Sequence, residues 1–176
     1  MKRIELFMSI FVVLSGIFLC SCDKLFPDDK LILKRVDYTG SELRMDGYYY
    51  CYFENTDITV VYFLYRNGIL RSAGGYSGYI LDDIEKEMLK YYEKNVKVDW
   101  GVFTVNENKI QYEKWIEAPS GVRAVINRRS GYIENDTTFH ITESYYSGTK
   151  ETKQINEVWH FKQSANKPDS TNVYIK

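Results

Sequence analysis

From Leu31 to Lys162 the chain is a succession of short segments, five to nine residues long, that alternate or run apolar and are each closed by turn residues. Segments of that length at that spacing belong to all-β folds. They begin with Leu31 to Tyr38, closed by Thr39-Gly40-Ser41, and Tyr48 to Phe53, closed by Glu54-Asn55-Thr56-Asp57. Ile58 to Tyr65, Trp100 to Val105 and Lys109 to Glu117 follow, then Val122 to Glu134 as one bent strand or two split at Ser130-Gly131. Thr137 to Tyr146 and Gln154 to Lys162 complete a reading of about nine strands. The 16 tyrosines, 9 phenylalanines and 3 tryptophans fit it, since strands favour large flat side chains.

Two turns suggest registers. Asn67-Gly68 suits the two positive φ angles of a type I′ hairpin, which sets Arg66 opposite Ile69, Tyr65 opposite Leu70 and Phe63 opposite Ser72. Pro119-Ser120-Gly121 suits a three-residue loop with a left-handed glycine, which sets Glu117 opposite Arg123 and Trp115 opposite Val125. One face then collects Ile110, Tyr112, Ile116, Ala124 and Ile126 as core, and the other carries Gln111, Glu113, Trp115, Glu117 and Arg123.

Residues 80–94 break the period: Leu81, Ile84, Met88 and Tyr91 recur at helical spacing, with Asp82 four residues before Lys86. One apolar stripe suits a helix that caps a sheet or a barrel mouth. The expected fold is mainly β: an antiparallel up-and-down barrel of 8–9 strands with one mid-chain helix over 80–94. Closure removes the sheet edges. A twisted antiparallel sheet packed on one helix is the alternative.

Ahead of the body stands a different kind of sequence. Lys2 and Arg3 precede an uncharged run from Leu6 to Leu19, the pattern of a secretory signal and too short to span a bilayer comfortably. Leu19, Cys20, Ser21 and Cys22 resemble the lipobox of bacterial lipoproteins, with Leu19 at −3, small Ser21 at −1 and Cys22 at +1. The resemblance implies removal of residues 1–21 and a diacylglycerol thioether on Cys22. It divides the chain into a signal peptide (1–21), a lipidated tether (22–30) containing Pro27 and Asp28-Asp29, a β domain (31–164) and a polar tail (165–176).

Cleavage before Cys22 leaves 155 residues, enough for one domain burying roughly 70% of its unfolded surface. With Lys2, Arg3 and Glu5 removed, 21 basic residues face 23 acidic ones, a net charge of −2. No basic patch interleaved with aromatics is present, so nucleic acid is not an expected partner. Cys51 is the one cysteine of the body, within Tyr48-Tyr49-Tyr50-Cys51-Tyr52-Phe53, and reads as a buried thiol. The body over Leu31 to Lys162 is similar in strand count and patterning to lipocalin-like, calycin-type barrels, although it lacks their Gly-x-Trp signature and its helix lies mid-chain.

Candidate chemistry is sparse. His140 and His160 have no further ligand at zinc-site spacing, so neither a metal nor another cofactor is expected. Ser120-Gly121 and Ser130-Gly131 lack the Gly-x-Ser-x-Gly elbow, and Gly74-Gly75-Tyr76-Ser77-Gly78 lacks the lysine of a phosphate loop. No catalytic constellation emerges, and an enzyme would need His140 and His160 to converge with Glu157 or Glu143. The candidate ligand-binding residues are Trp115, Trp100 and Arg123, in a concave aromatic-lined pocket. The expected protein is a lipoprotein held at the bacterial envelope through Cys22, at the outer membrane or cell surface rather than the inner membrane. It would be a binding or structural module for a small molecule, a glycan or another envelope protein. The alternative is an accessory subunit that binds through a flat face.

Overall fold

The computed structural model of the protein describes residues 26–53, 55–78, 81–90 and 94–176. The signal segment and Cys22 lie outside the described residues. Eight antiparallel strands in chain order close into a barrel: β1 (Gly47–Phe53), β2 (Ile58–Leu64), β3 (Ile69–Ser77), β4 (Trp100–Asn106), β5 (Lys109–Glu117), β6 (Ala124–Asn135), β7 (Thr138–Tyr146) and β8 (Glu151–Gln163). β1 pairs with β8, Tyr49 opposite Phe161, so the meander has no free edge. One α-helix, α1 (Leu81–Lys90), and a 3-10 turn over Lys97–Asp99 lie between β3 and β4. No helix among the described residues is long and apolar enough to cross a membrane.

The barrel wall separates two apolar clusters. Inside, Tyr49, Leu64, Phe103, Tyr112, Phe139 and Trp159 meet in the middle of the barrel. The Trp159 indole stacks on Tyr62 at 4.3 Å and on Phe139 at 5.8 Å, contacts worth about 1 kcal/mol each beyond the area they bury. Cys51 is 3% exposed in this cluster, and burial pushes its thiol up to about 12, so it packs as a small hydrophobe. Outside, Tyr48, Phe63, Trp100, Trp115 and Ile126 would face water on a bare barrel. They are covered by α1, by an amino-terminal strap and by the carboxy-terminal tail, which contribute Ile84, Leu31 and Tyr174.

The strap, residues 28–46, is the expected first strand in another role. Leu31 to Tyr38 is extended yet joins no ladder. The Ile32 and Leu33 amides donate instead to Glu113 Oε2 at 2.6 and 2.8 Å. Glu113 is fully buried, and Arg128 supplies its counter-charge from Nε at 2.6 Å. A carboxylate on the outer wall thus stands in for the missing neighbour strand. The strap starts at Asp28 and Asp29 beside the β5–β6 turn and reaches the opposite end of the barrel. There Tyr38 N–H donates to Arg66 O and Arg44 N–H to Asp136 O, while Tyr38 packs on Phe103 and Leu43 is buried in the inner cluster. That end is plugged.

Both hairpin registers differ from the sequence reading by one residue. Tyr65 faces Ile69 across Arg66-Asn67-Gly68, with Gly68 N–H donating to Tyr65 O at 2.9 Å and only Gly68 of the loop at positive φ (+75°). This is a three-residue loop rather than a type I′ pair, and a Cβ on Gly68 would lie 2.2 Å from Val36 O of the strap. Tyr62, not Phe63, therefore faces Ser72. At the second turn Ala118 N–H donates to Arg123 O, so four residues form the loop and Trp115 faces Ile126. One step reverses the faces: Ala124 and Ile126 lie outside with Trp115, while Asn127 and Arg129 turn in. β6 is one continuous strand with an irregularity at Ser130/Gly131.

The helix is described over Leu81–Lys90, within the expected 80–94; Ile80 and Tyr91 lie outside the described residues. Of the two roles expected for it, capping the sheet or capping a mouth, it takes the first and covers the outer wall. Ile84 is buried there, and Lys162 holds Asp82 at 2.5 Å.

A candidate binding mouth at the open end of the barrel

β3 and β4 pair only at Ile69–Val102, Leu70–Gly101 and Arg71–Trp100. Beyond Arg71 the two strands part, and the 3-10 turn Lys97–Asp99 stands beside the opening. The result is a hollow of about 490 Å³ at the end opposite the plug, reached from solvent between β2, β3, β5 and β6. Gly74 and Gly75 form its β3 side, where the absence of side chains keeps the mouth open.

The hollow has an aromatic floor and polar walls. Tyr62 lines it, backed by Trp159 and set edge-on to Tyr112 at 5.6 Å. From β5, Lys114 places Nζ 5.4 Å from the centre of the Tyr62 ring. It makes no ion pair among the described residues. From β6, Asn127 donates to Ser144 Oγ at 2.9 Å and to Tyr145 O at 3.2 Å, and its carbonyl accepts from Arg129 Nε at 2.8 Å. Arg129 also grips both oxygens of Glu157, which accepts a further hydrogen bond from Trp159 Nε1 at 3.2 Å. Burial opposes the Arg129 charge, but the Glu157 carboxylate hydrogen-bonded to it keeps the guanidinium protonated. Burial pushes the Tyr112 phenol well above its ordinary range, so it stays neutral. Arg129 and Glu157 compensate each other, which leaves Lys114 as the cation directed at the hollow. Asp99 and Glu117 stand at the rim.

This arrangement can orient a small ligand. The ring platform accepts a flat or apolar body, and Lys114 accepts an acidic group above it. The histidines and acids that an enzyme would need together do not converge here: His140 and His160 lie on the outer wall, whereas Glu157 points inward. His140 Nε2 is 2.9 Å from Glu134 and stacks on Tyr132 at 4.7 Å, and the His160 ring packs beside Tyr50 at 5.9 Å. No group of three or more metal-ligating side chains occurs among the described residues.

The residues singled out from sequence lie elsewhere. Trp100 is completely buried on the outer wall, its Nε1 donating to Lys94 O at 3.1 Å with Arg71 over the ring. Trp115 is 6% exposed, donates to Asp29 O at 2.8 Å and meets Tyr174 edge-on at 6.5 Å. It does line a concave groove, about 420 Å³ between strap and tail, with Lys30, Arg35 and Lys97 along it. Arg123 is paired with Asp29 at 3.1 Å. Trp115 and Arg123 therefore fasten the strap, Trp115 the tail as well, while Trp100 packs in the outer wall; of the three, Trp115 lines a hollow.

Sequence reasoning missed Lys114, although the signal was present. Period-two alternation from Ile110 and Tyr112 to Ile116 passes through Lys114 and sets a cation on the core face. Arg129 follows only once β6 is in its true register. Comparison of the chain with protein-family models, with curated proteins and with solved structures finds no match.

Proposed function

We propose that the protein is a lipid-anchored envelope lipoprotein whose barrel is a binding module, taking a small ligand with an acidic group into the open mouth. Lys114 poised over the Tyr62–Trp159 stack carries this reading. This lysine stands on the inner face of its strand, half-buried and with no carboxylate partner among the described residues, so its charge is available to a ligand. The anchor reading rests on the Leu19 to Cys22 motif; Asp28, six residues on, is bonded to the barrel. The barrel architecture accords with the lipocalin-like resemblance.

Two experiments test it. Cys22→Ala is expected to release the protein from membranes and leave the signal uncut; unchanged retention refutes the anchor. A screen of small carboxylates and phosphates against the full chain, read by Trp159-dependent fluorescence, is expected to give ligands whose binding is lost in Lys114→Gln and restored in Lys114→Arg. Ligands indifferent to both substitutions would refute the mouth as the site. A second reading, an accessory subunit that docks on another envelope protein, is favoured by the outer wall of β5–β7. There Tyr132, 43% exposed, stacks on His140 beside a shallow hollow and is uncovered by strap or tail. Loss of a co-purifying protein in Tyr132→Ala would select that reading.

A further inference from the structure

The strap leaves the fold at a definite place. Asp28 accepts from the Ala124 amide at 2.7 Å and from Lys97 Nζ at 2.6 Å. Asp29 accepts from Ser147 Oγ at 2.5 Å and from Arg123, and its amide donates to Ala124 O at 2.9 Å. Ala124 lies opposite Glu117, and Lys97 adjoins Val98 and Asp99, which are rim residues of the mouth. The chain therefore departs from the rim of the open end, far from the plug.

Six residue steps separate Cys22 from Asp28, a reach of at most about 20 Å even when fully extended. Strand rise and barrel tilt set the plugged end roughly 20–25 Å further along the axis. A lipid on Cys22 thus keeps the mouth close to the bilayer however the domain tips, while the plug is free to point away. The surface around the exit suits such a neighbour. Phe26, Ile32 and Val122 are 57%, 75% and 55% exposed there. Lys30 is exposed there without an ion pair among the described residues, whereas Asp28 and Asp29 are each paired, to Lys97 and Arg123.

We infer that the open mouth and the strap-side groove face the bilayer that holds the anchor, and that they meet a surface of acidic lipid headgroups. The inference rests on the lipidated Cys22 of the proposed function. It also names the source of the acidic ligand: the mouth opens onto membrane lipid rather than onto bulk solution.

The test uses the full lipidated chain in vesicles of phosphatidylcholine with and without phosphatidylglycerol. Spin labels are placed in exposed turns at each end, by Ser120→Cys near the mouth and Asn108→Cys at the plug; buried Cys51 stays unlabelled. A nickel-chelating lipid is expected to relax the Ser120 label several-fold more than the Asn108 label. Phosphatidylglycerol should widen that contrast, and Lys30→Glu should narrow it. Equal relaxation of the two labels, or a stronger effect at Asn108, overturns the orientation. A contrast unchanged by both phosphatidylglycerol and the charge reversal overturns the acidic surface. Mass spectrometry of the amino end separates the two levels: an unmodified Cys22 removes both this inference and the anchor, while a lipidated Cys22 with equal labels removes this inference alone.

Discussion

The two ends of the barrel are built from the same alternating strands and yet differ in what fills them. At the plugged end the strap folds under the strands, and Tyr38, Leu43 and Phe103 pack as in any core. At the open end the inner positions carry Lys114, Asn127 and Arg129, and α1 lies on the outer wall and leaves them uncovered. The two ends therefore do different work. One contributes packing energy, and the other gives up some of it to hold charges at the lip of a hollow.

The largest expected effect of breaking that contrast lies in the filled half. Trp159→Ala removes the plate under Tyr62 and should cost about 4 kcal/mol, read as a lowered denaturant midpoint. A loss under about 1 kcal/mol would mean the centre is loosely packed. Next comes the strap: Glu113→Gln leaves Arg128 without its buried partner and offers an amide where two amides donate, so a loss of about 2 kcal/mol is expected. Hydrogen exchange of Ile32 and Leu33 should rise with it. Lys114→Gln at the mouth should change stability by no more than about 0.5 kcal/mol while abolishing binding of acidic ligands. A strongly destabilised Lys114→Gln would make that lysine part of the scaffold and erase the distinction between the ends.

The smallest effect is local and depends on acid. Hydrogen bonding from Lys97, then from the Ala124 amide, holds the Asp28 carboxyl below its ordinary 3.8. Because the folded value lies below the unfolded one, this contact stabilises the docked strap above about pH 3.8 and is lost as pH falls through the lower folded value. Exchange of the Ala124 amide should quicken in that range in the native protein. Asp28→Asn should flatten the response.

How much of this is legible from residues alone follows from what each residue type signals. The strands and the barrel can be read, because turn chemistry and β-formers mark segment ends whatever the neighbours are. Register cannot, because Asn67-Gly68 and Pro119-Ser120-Gly121 each fit two loop lengths, and a single step exchanges the inner and outer faces. The strap reads as a ladder strand since its alternation is real; it covers the outer wall, an arrangement fixed by Glu113 some 80 residues away. Trp115 stands out as a large aromatic on a polar face, and that face proves, with Trp100, to be a second core under the strap, α1 and the tail. The mouth is hidden in Lys114, whose charge suggests solvent although its parity points inward.

The fastening at Asp28 and Asp29 also decides how the molecule bears mechanical load. A pull on the amino-terminal end would arrive at those two carboxylates and their bonds to Lys97, Arg123, Ala124 and Ser147. The strap would then detach link by link from the rim toward Glu113 before any strand-to-strand bond carried tension. Sacrificial contacts of this kind would let the domain yield at its hem and keep its walls intact.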